Sequence, residues 1–198
     1  MGRLFLEHNH TILVDALNRL GIDLEHSTIL DVGCGEGGWL RYLVELGAIP
    51  SNLNGIDLSK SRIEAAKQLN PAINLLTSEG DSIPFLSDMF DIVMQVVVFS
   101  SIIEQGLAQM LVTDMLRVTK PGGYLFWIDH KNSHSASLAG YSVELLTEWL
   151  PGCSLIYQES VHPRYFRKWY RYPRLCRLLY GFTRKSCDAW FLVFRKNI

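Results

Sequence analysis

Ten residues near the start of the chain, ILDVGCGEGG from Ile29 to Gly38, constrain its fold more than any other stretch. An apolar strand leads into an acid, Asp31, and then directly into a glycine-rich turn. Glycine reaches positive φ without strain and has no side chain, so such a turn lets a ligand lie against bare backbone. Gly33, Gly35 and Gly38 also satisfy G-x-G-x-x-G, the dinucleotide-binding pattern. The neighbouring residues arbitrate. A pyrophosphate wants an uncharged approach to a helix N-terminus, whereas Asp31 stands two residues before the first glycine. That acid disfavours a phosphate and favours a cationic ligand.

The next landmark, LNGIDLSKSRIEAAKQL from Leu53 to Leu69, reads as a short strand ending at Asp57 and then a helix. Ser59 is its N-cap, and Asn70-Pro71 close it. A carboxylate at the end of a second strand is placed to accept both hydroxyls of a ribose. Together, ILDVGCGEGG and GIDLS resemble the first two motifs of class I S-adenosylmethionine-dependent methyltransferases, in a small bacterial form similar to methyltransferase-domain type 11. The resemblance continues through GDSIPF (Gly80 to Phe85), FDIVMQVVVFSSI (Phe90 to Ile102) and MLRVTKPGGYLFWID (Met115 to Asp129), and so covers roughly residues 28–129 in register.

That resemblance implies an α/β fold: a Rossmann-like three-layer sandwich around a seven-stranded, mostly parallel sheet with an antiparallel last strand. It implies S-adenosyl-L-methionine as cofactor and methyl transfer to oxygen or nitrogen of a small-molecule, glycan or lipid-linked acceptor. Asp31, Gly33 and Gly35 would hold the methionine end, Asp57 the ribose, and Leu58 would pack on adenine. Asp81 would accept from the adenine amino group, with Ser82 and Ile83 alongside, although an acid there could equally cap a short helix. Gln95 matches the position that closes the methionine side. Two other readings stand beside this one: a non-catalytic module that keeps the S-adenosylmethionine site, and a nicotinamide-dependent oxidoreductase.

Strand and helix patterns alternate along the chain, which argues for a parallel sheet covered on both faces. A first helix is expected over 10–21, with Leu13, Ala16, Leu17 and Leu20 on one face. Helices follow over 37–46, 60–69, 104–119 and 142–150; in the fourth, Leu107, Met110, Leu111, Met115 and Val118 read as a core stripe. Asp91 to Val98 reads as a buried central strand, Pro121-Gly122-Gly123 as a turn, and Tyr124 to Asp129 as the fifth strand. With 198 residues, 48% of them hydrophobic, the chain is expected to form a single domain. The first ten residues hold too short an apolar run for a signal peptide. The cysteines at 34, 153, 176 and 187 make no C-x-x-C pair and suggest neither a disulfide framework nor a metal site. The expected location is the cytoplasm, with peripheral membrane contact.

Methyl transfer from a sulfonium needs alignment more than acid–base work. Many small-molecule methyltransferases carry an acid or histidine pair after strand four, where this chain has Ser100-Ser101. VMQVVVFSSI resembles instead a bacterial subgroup with Q-x-x-V-F-[ST]-S-I, met in clusters for surface-glycan and secondary-metabolite synthesis. Attention then moves to the end of strand five. There Asp129 and His130 lie where open α/β sheets bind ligands, and an imidazole can take a proton from a hydroxyl or amine. His130 is the candidate catalytic residue; the plainer reading is a strand end that hydrogen-bonds its loop. His134 and Tyr141 could line the same mouth, and His8 and His10 could cover the cofactor as a lid.

Between the last two strands lies an insertion, 161–187. Its stretch from His162 to Lys185 holds eight Lys and Arg and no acid, leaving eleven basic against twenty acidic residues elsewhere. Seven aromatics are interleaved with these charges. Such a mixture could lie on an anionic membrane, stack on RNA, or cover a substrate pocket. The acidic remainder argues against nucleic acid. Any of the three would make this segment the selector of the acceptor, and nothing in the sequence sets the oligomeric state.

Overall fold

A computed structural model describes residues 3–80, 82–131, 140–161 and 189–198, with side chains from Asn9 onward. Seven strands form one sheet: β1 (Ile29–Val32), β2 (Leu53–Asp57), β3 (Asn74–Thr77), β4 (Phe90–Val96), β5 (Thr119–His130), β6 (Cys153–Val161) and β7 (Ala189–Lys196). Their order is β3-β2-β1-β4-β5-β7-β6. The first five are parallel, and β7 runs antiparallel to both β5 and β6. This is the expected Rossmann-like sandwich. The order reverses between β1 and β4, so the crevice beyond their carboxyl ends is the topological switch point where such sheets bind ligands.

Helices α1 (Arg3–Leu20), α2 (Gly38–Glu45) and α3 (Lys60–Leu69) cover one face of the sheet, and α4 (Gln105–Val118) and α5 (Val143–Trp149) cover the other. β1 is buried at all four residues because helices lie on both its sides. Ser59 caps α3 by accepting from the Arg62 N–H, and Ser142 caps α5 by accepting from Leu145 N–H. At the carboxyl edge the chain leaves β6 at Val161 and returns at its register partner Ala189. The basic-aromatic insertion lies almost wholly between them, outside the described residues.

Four expectations need correction. α1 begins at Arg3, well before residue 10. Pro121-Gly122-Gly123 does not break the chain into turn and strand: β5 runs through it, with a register shift against β4 between Phe90 and Ile92. A bulge tolerates the missing proline N–H and gives Gly122 its φ of 76°. β4 stops at Val96, because Val97 turns to φ 57°. On α4 the buried stripe is Ala108, Val112, Met115 and Val118, leaving Leu107 and Met110 exposed.

The tightest close approach in the sheet is at Gly55. A Cβ there would lie 2.7 Å from Cys34 Sγ and 2.8 Å from methyls of both Leu40 and Leu75. Gly55→Ala is expected to lower unfolding stability by about 1–3 kcal/mol through overpacking, read from urea denaturation. An unchanged midpoint would show that this layer can relax.

Candidate active site

β1 delivers the chain to the switch point, and the glycines then fold it back. Gly33, Gly35 and Gly37 take φ values of 73°, 55° and 73°, in the left-handed region that a β-carbon disfavours. The turn is tied to β2, since the N–H groups of Gly33 and Cys34 both donate to Ile56 O, at 2.8 and 2.9 Å. A β-carbon on Gly33 would collide with the Val98 side chain, whereas around Gly35 there is open space. Bare backbone therefore faces outward at Gly35, as a cradle requires. Cys34 packs inward, and burial pushes its thiol pKa up, so it is a filler and not a nucleophile.

Asp57 ends β2 and bridges two loops. Its Oδ2 accepts from Gly35 N–H at 2.9 Å and its Oδ1 accepts from Ser59 N–H at 2.8 Å. Each oxygen keeps acceptor capacity for a second donor. Leu58, next in sequence, is 67% exposed and overhangs a cleft of about 370 Å³. Gly33, Asp57 and Leu58 form one wall, Ser78 to Gly80 the floor, and Val98, Leu107 and Leu111 the far wall. The two α4 leucines line this cleft, although the sequence reading placed them in the core. Ala108 and Val112, one position further on, are the buried ones.

Asp31 immediately precedes the cleft-lining Val32 but lies on the other sheet face, the one covered by α1 and α2. It is 1% exposed, and its Oδ2 has no hydrogen-bond partner among the described residues. Burial, with the neighbouring Asp57 charge adding to it, pushes its carboxyl pKa up to about 8. A carboxylate so placed lacks a cation.

Gln95 is fully buried on the opposite face from Asp31, level with Val32. Its Oε1 accepts from Val98 N–H at 3.1 Å, and its Nε2 has no partner. It thus steadies the exit from β4, where the β-branched Val97 holds a left-handed conformation that costs energy. Ile83 is interior; its N–H donates to Asp114, and Arg117 holds its carbonyl at 2.9 Å. Its amide is therefore committed to α4. Ser82 is exposed, and its carbonyl accepts from Ser78 Oγ at 3.3 Å. Asp81 and His134 lie outside the described residues.

His130 ends β5 half-buried, on the same sheet face as Asp31 by strand alternation with Ile128. Asp129 points to the other face. It is wholly buried and accepts from Ser100 N–H at 3.2 Å and His130 N–H at 2.8 Å, and burial raises its carboxyl pKa. Tyr141 does not line the mouth as expected. It is buried against Phe99, Trp127 and Trp149, and its hydroxyl donates to Ile102 O at 2.7 Å. His10 stacks on Tyr42 with ring centroids 3.5 Å apart, which docks α1 on α2; the His8 side chain lies outside those described.

Known proteins carry the same pattern. Residues 29–123 match the family model described as a methyltransferase domain. A phthiotriol/phenolphthiotriol dimycocerosates methyltransferase of Mycobacterium ulcerans is 28% identical over 134 residues, 64% of this chain and 48% of that protein. A fatty-acid O-methyltransferase of Mycolicibacterium smegmatis is 33% identical over 127 residues, 58% of this chain and 45% of that protein. The chain thus spans about half the length of the curated relatives it matches. An S-adenosylmethionine-dependent methyltransferase structure from Mesorhizobium loti superposes with TM-score 0.70 at 17% identity, covering 91% of this chain and 96% of that one. From β1 into β5 the chain thus matches a methyltransferase domain, on a sheet of the same fold as the Mesorhizobium loti structure.

The Asp31 carboxyl gives a pH signature. Its pKa lies near 8 in the folded protein, against 3.8 when unperturbed. The folded state thus keeps a proton that the unfolded chain has lost, and stability falls as pH rises from about 4 to about 8. The stability of Asp31→Asn relative to the parent should therefore grow across that window and level off above it. Denaturation curves at a series of pH values read this directly, and parallel curves would contradict the assignment.

Proposed function

We propose that the protein is an S-adenosylmethionine-dependent methyltransferase whose acceptor is a lipid-type or other small molecule, methylated on oxygen or nitrogen. One observation carries the reading: a buried, partnerless carboxylate, Asp31, stands beside a glycine turn that Asp57 clasps to an open cleft. An ammonium group fits Asp31, a ribose fits the spare acceptor capacity of Asp57, and a flat base fits the leucine-walled slot. S-adenosylmethionine, when bound, supplies an electrophilic methyl group on a sulfonium. An oxygen acceptor is supported by the name of one relative, a fatty-acid O-methyltransferase, and a lipid by the names of both.

The chain's own tasks follow. Asp31 and Asp57 orient, and the α4 leucines exclude water from one wall of the cleft. His130, on the Asp31 face at the carboxyl edge of β5, takes the proton from the acceptor hydroxyl or amine. The basic and aromatic residues from 162 to 185, outside the described residues, are assigned to acceptor selection and contact with anionic lipid on composition alone.

Binding of S-adenosylhomocysteine should release close to one proton at pH 7, because a cationic partner favours ionised Asp31. Calorimetry in buffers of different ionisation enthalpy measures this, and the release should vanish in Asp31→Asn. Asp57→Ala should weaken the same ligand about ten- to a hundred-fold; equal affinity in a folded variant would remove Asp57 from the ribose.

His130→Ala tests the base. Turnover should fall about 10²-fold or more with cofactor affinity intact, since the proton moves only in the transition state. Turnover within twofold of the parent would make alignment alone responsible.

A further inference from the structure

On α1, residues 9, 13, 16 and 17 share one helix face. Leu13, Ala16 and Leu17 are core residues, whereas Asn9 is fully buried, and among the described residues neither Oδ1 nor Nδ2 of its amide finds a hydrogen bond. An unmet buried amide weakens a fold, and a leucine would complete the stripe. Asn9 is therefore in a position that stability alone does not favour.

Its location gives a reason. α1 lies alongside α2 in the same direction. The His10 ring meets Trp39 edge-on and stacks on Tyr42, in the first turns of α2, while Val14, Leu17 and Asn18 line a cleft shared with Leu46 and Gly47 just past its end. α2 starts directly after the glycine turn, so the start of α1 lies at the carboxyl edge of the sheet. A second contact agrees. Tyr157, midway along β6, donates to Asp15 Oδ2 at 2.8 Å, and Asn9 is six residues earlier, about 9 Å nearer that edge. Asp31, equally buried and lacking a partner at Oδ2, sits on the face that α1 covers. Two unmatched polar groups, an acid and an amide, thus lie on one face of the sheet toward its carboxyl edge.

We propose that Asn9 binds the amino-acid end of the cofactor: its amide N–H donates to the ligand carboxylate while Asp31 receives the ammonium, and the start of α1 must lift to admit the ligand. A zwitterion needs both partners, and Asp31 can serve only its cation. The proposal rests on S-adenosylmethionine being the cofactor.

Calorimetric titration of the parent, Asn9→Leu and Asn9→Ala with S-adenosylhomocysteine and with 5′-methylthioadenosine tests it, because the second ligand keeps the nucleoside thioether and lacks the amino acid. Both variants should lose about tenfold or more in affinity for S-adenosylhomocysteine and stay within twofold for 5′-methylthioadenosine. Free Asn9→Leu should melt about 2–4 °C higher than the parent. Unchanged affinity for S-adenosylhomocysteine, or an equal loss for both ligands, would overturn the proposal and leave Asn9 a packing residue. A parent that binds neither ligand would instead overturn the cofactor reading itself.

Discussion

The carboxylate of Asp57 holds this site together. One oxygen takes the Gly35 N–H and the other the Ser59 N–H, so the glycine turn after β1 and the start of α3 share a single anchor at the end of β2. Charge-assisted hydrogen bonds of this kind are shorter and stronger than neutral ones. A turn with three residues at positive φ has little intrinsic preference for one shape, and this clasp selects it. The shape of the glycine turn and the start of α3 therefore depend on the same side chain.

Around that anchor the structure keeps several polar groups without partners. Asp31 Oδ2, both amide atoms of Asn9 and Gln95 Nε2 are buried and unmatched among the described residues. Such groups oppose folding, and Val97 adds backbone strain at the end of β4. All of these belong to the crevice edge of the sheet, while the strand interiors are apolar and tightly packed. The molecule is least satisfied where a zwitterionic, cationic ligand would satisfy it. Stability has been surrendered locally at the place where binding takes it back.

The two carboxylates at the strand ends behave differently because their surroundings differ. Asp57 finds two backbone donors, whereas Asp31 finds none among the described residues, and burial together with the Asp57 charge pushes Asp31 toward its neutral form in the free protein. Asp129 is a third acid at the same edge, turned to the other face and used as a brace between β5 and the segment after β4. Position at the carboxyl edge does not make an acid functional.

The glycine turn, the strand-ending acids and the α/β alternation were legible in the sequence because each follows from local chemistry: positive φ, capping, and period. Ser59 caps α3 as expected for the same reason. Which face of α4 is buried was not legible, because leucines, alanine, valine and methionine offer two overlapping apolar stripes, and only docking on β4 and β5 chose the one through Ala108 and Val112. Tyr141 read as a mouth residue, yet packing against Trp127 and Trp149 drew it inside. Asn9 carried no signal at all. Its burial arises from the packing of α1 on α2 and the sheet, a tertiary arrangement that puts its amide on the same sheet face as Asp31. Sequence by itself determined the local shapes; the third dimension decided which side chains they bring together, since burial and partnership belong to no single segment.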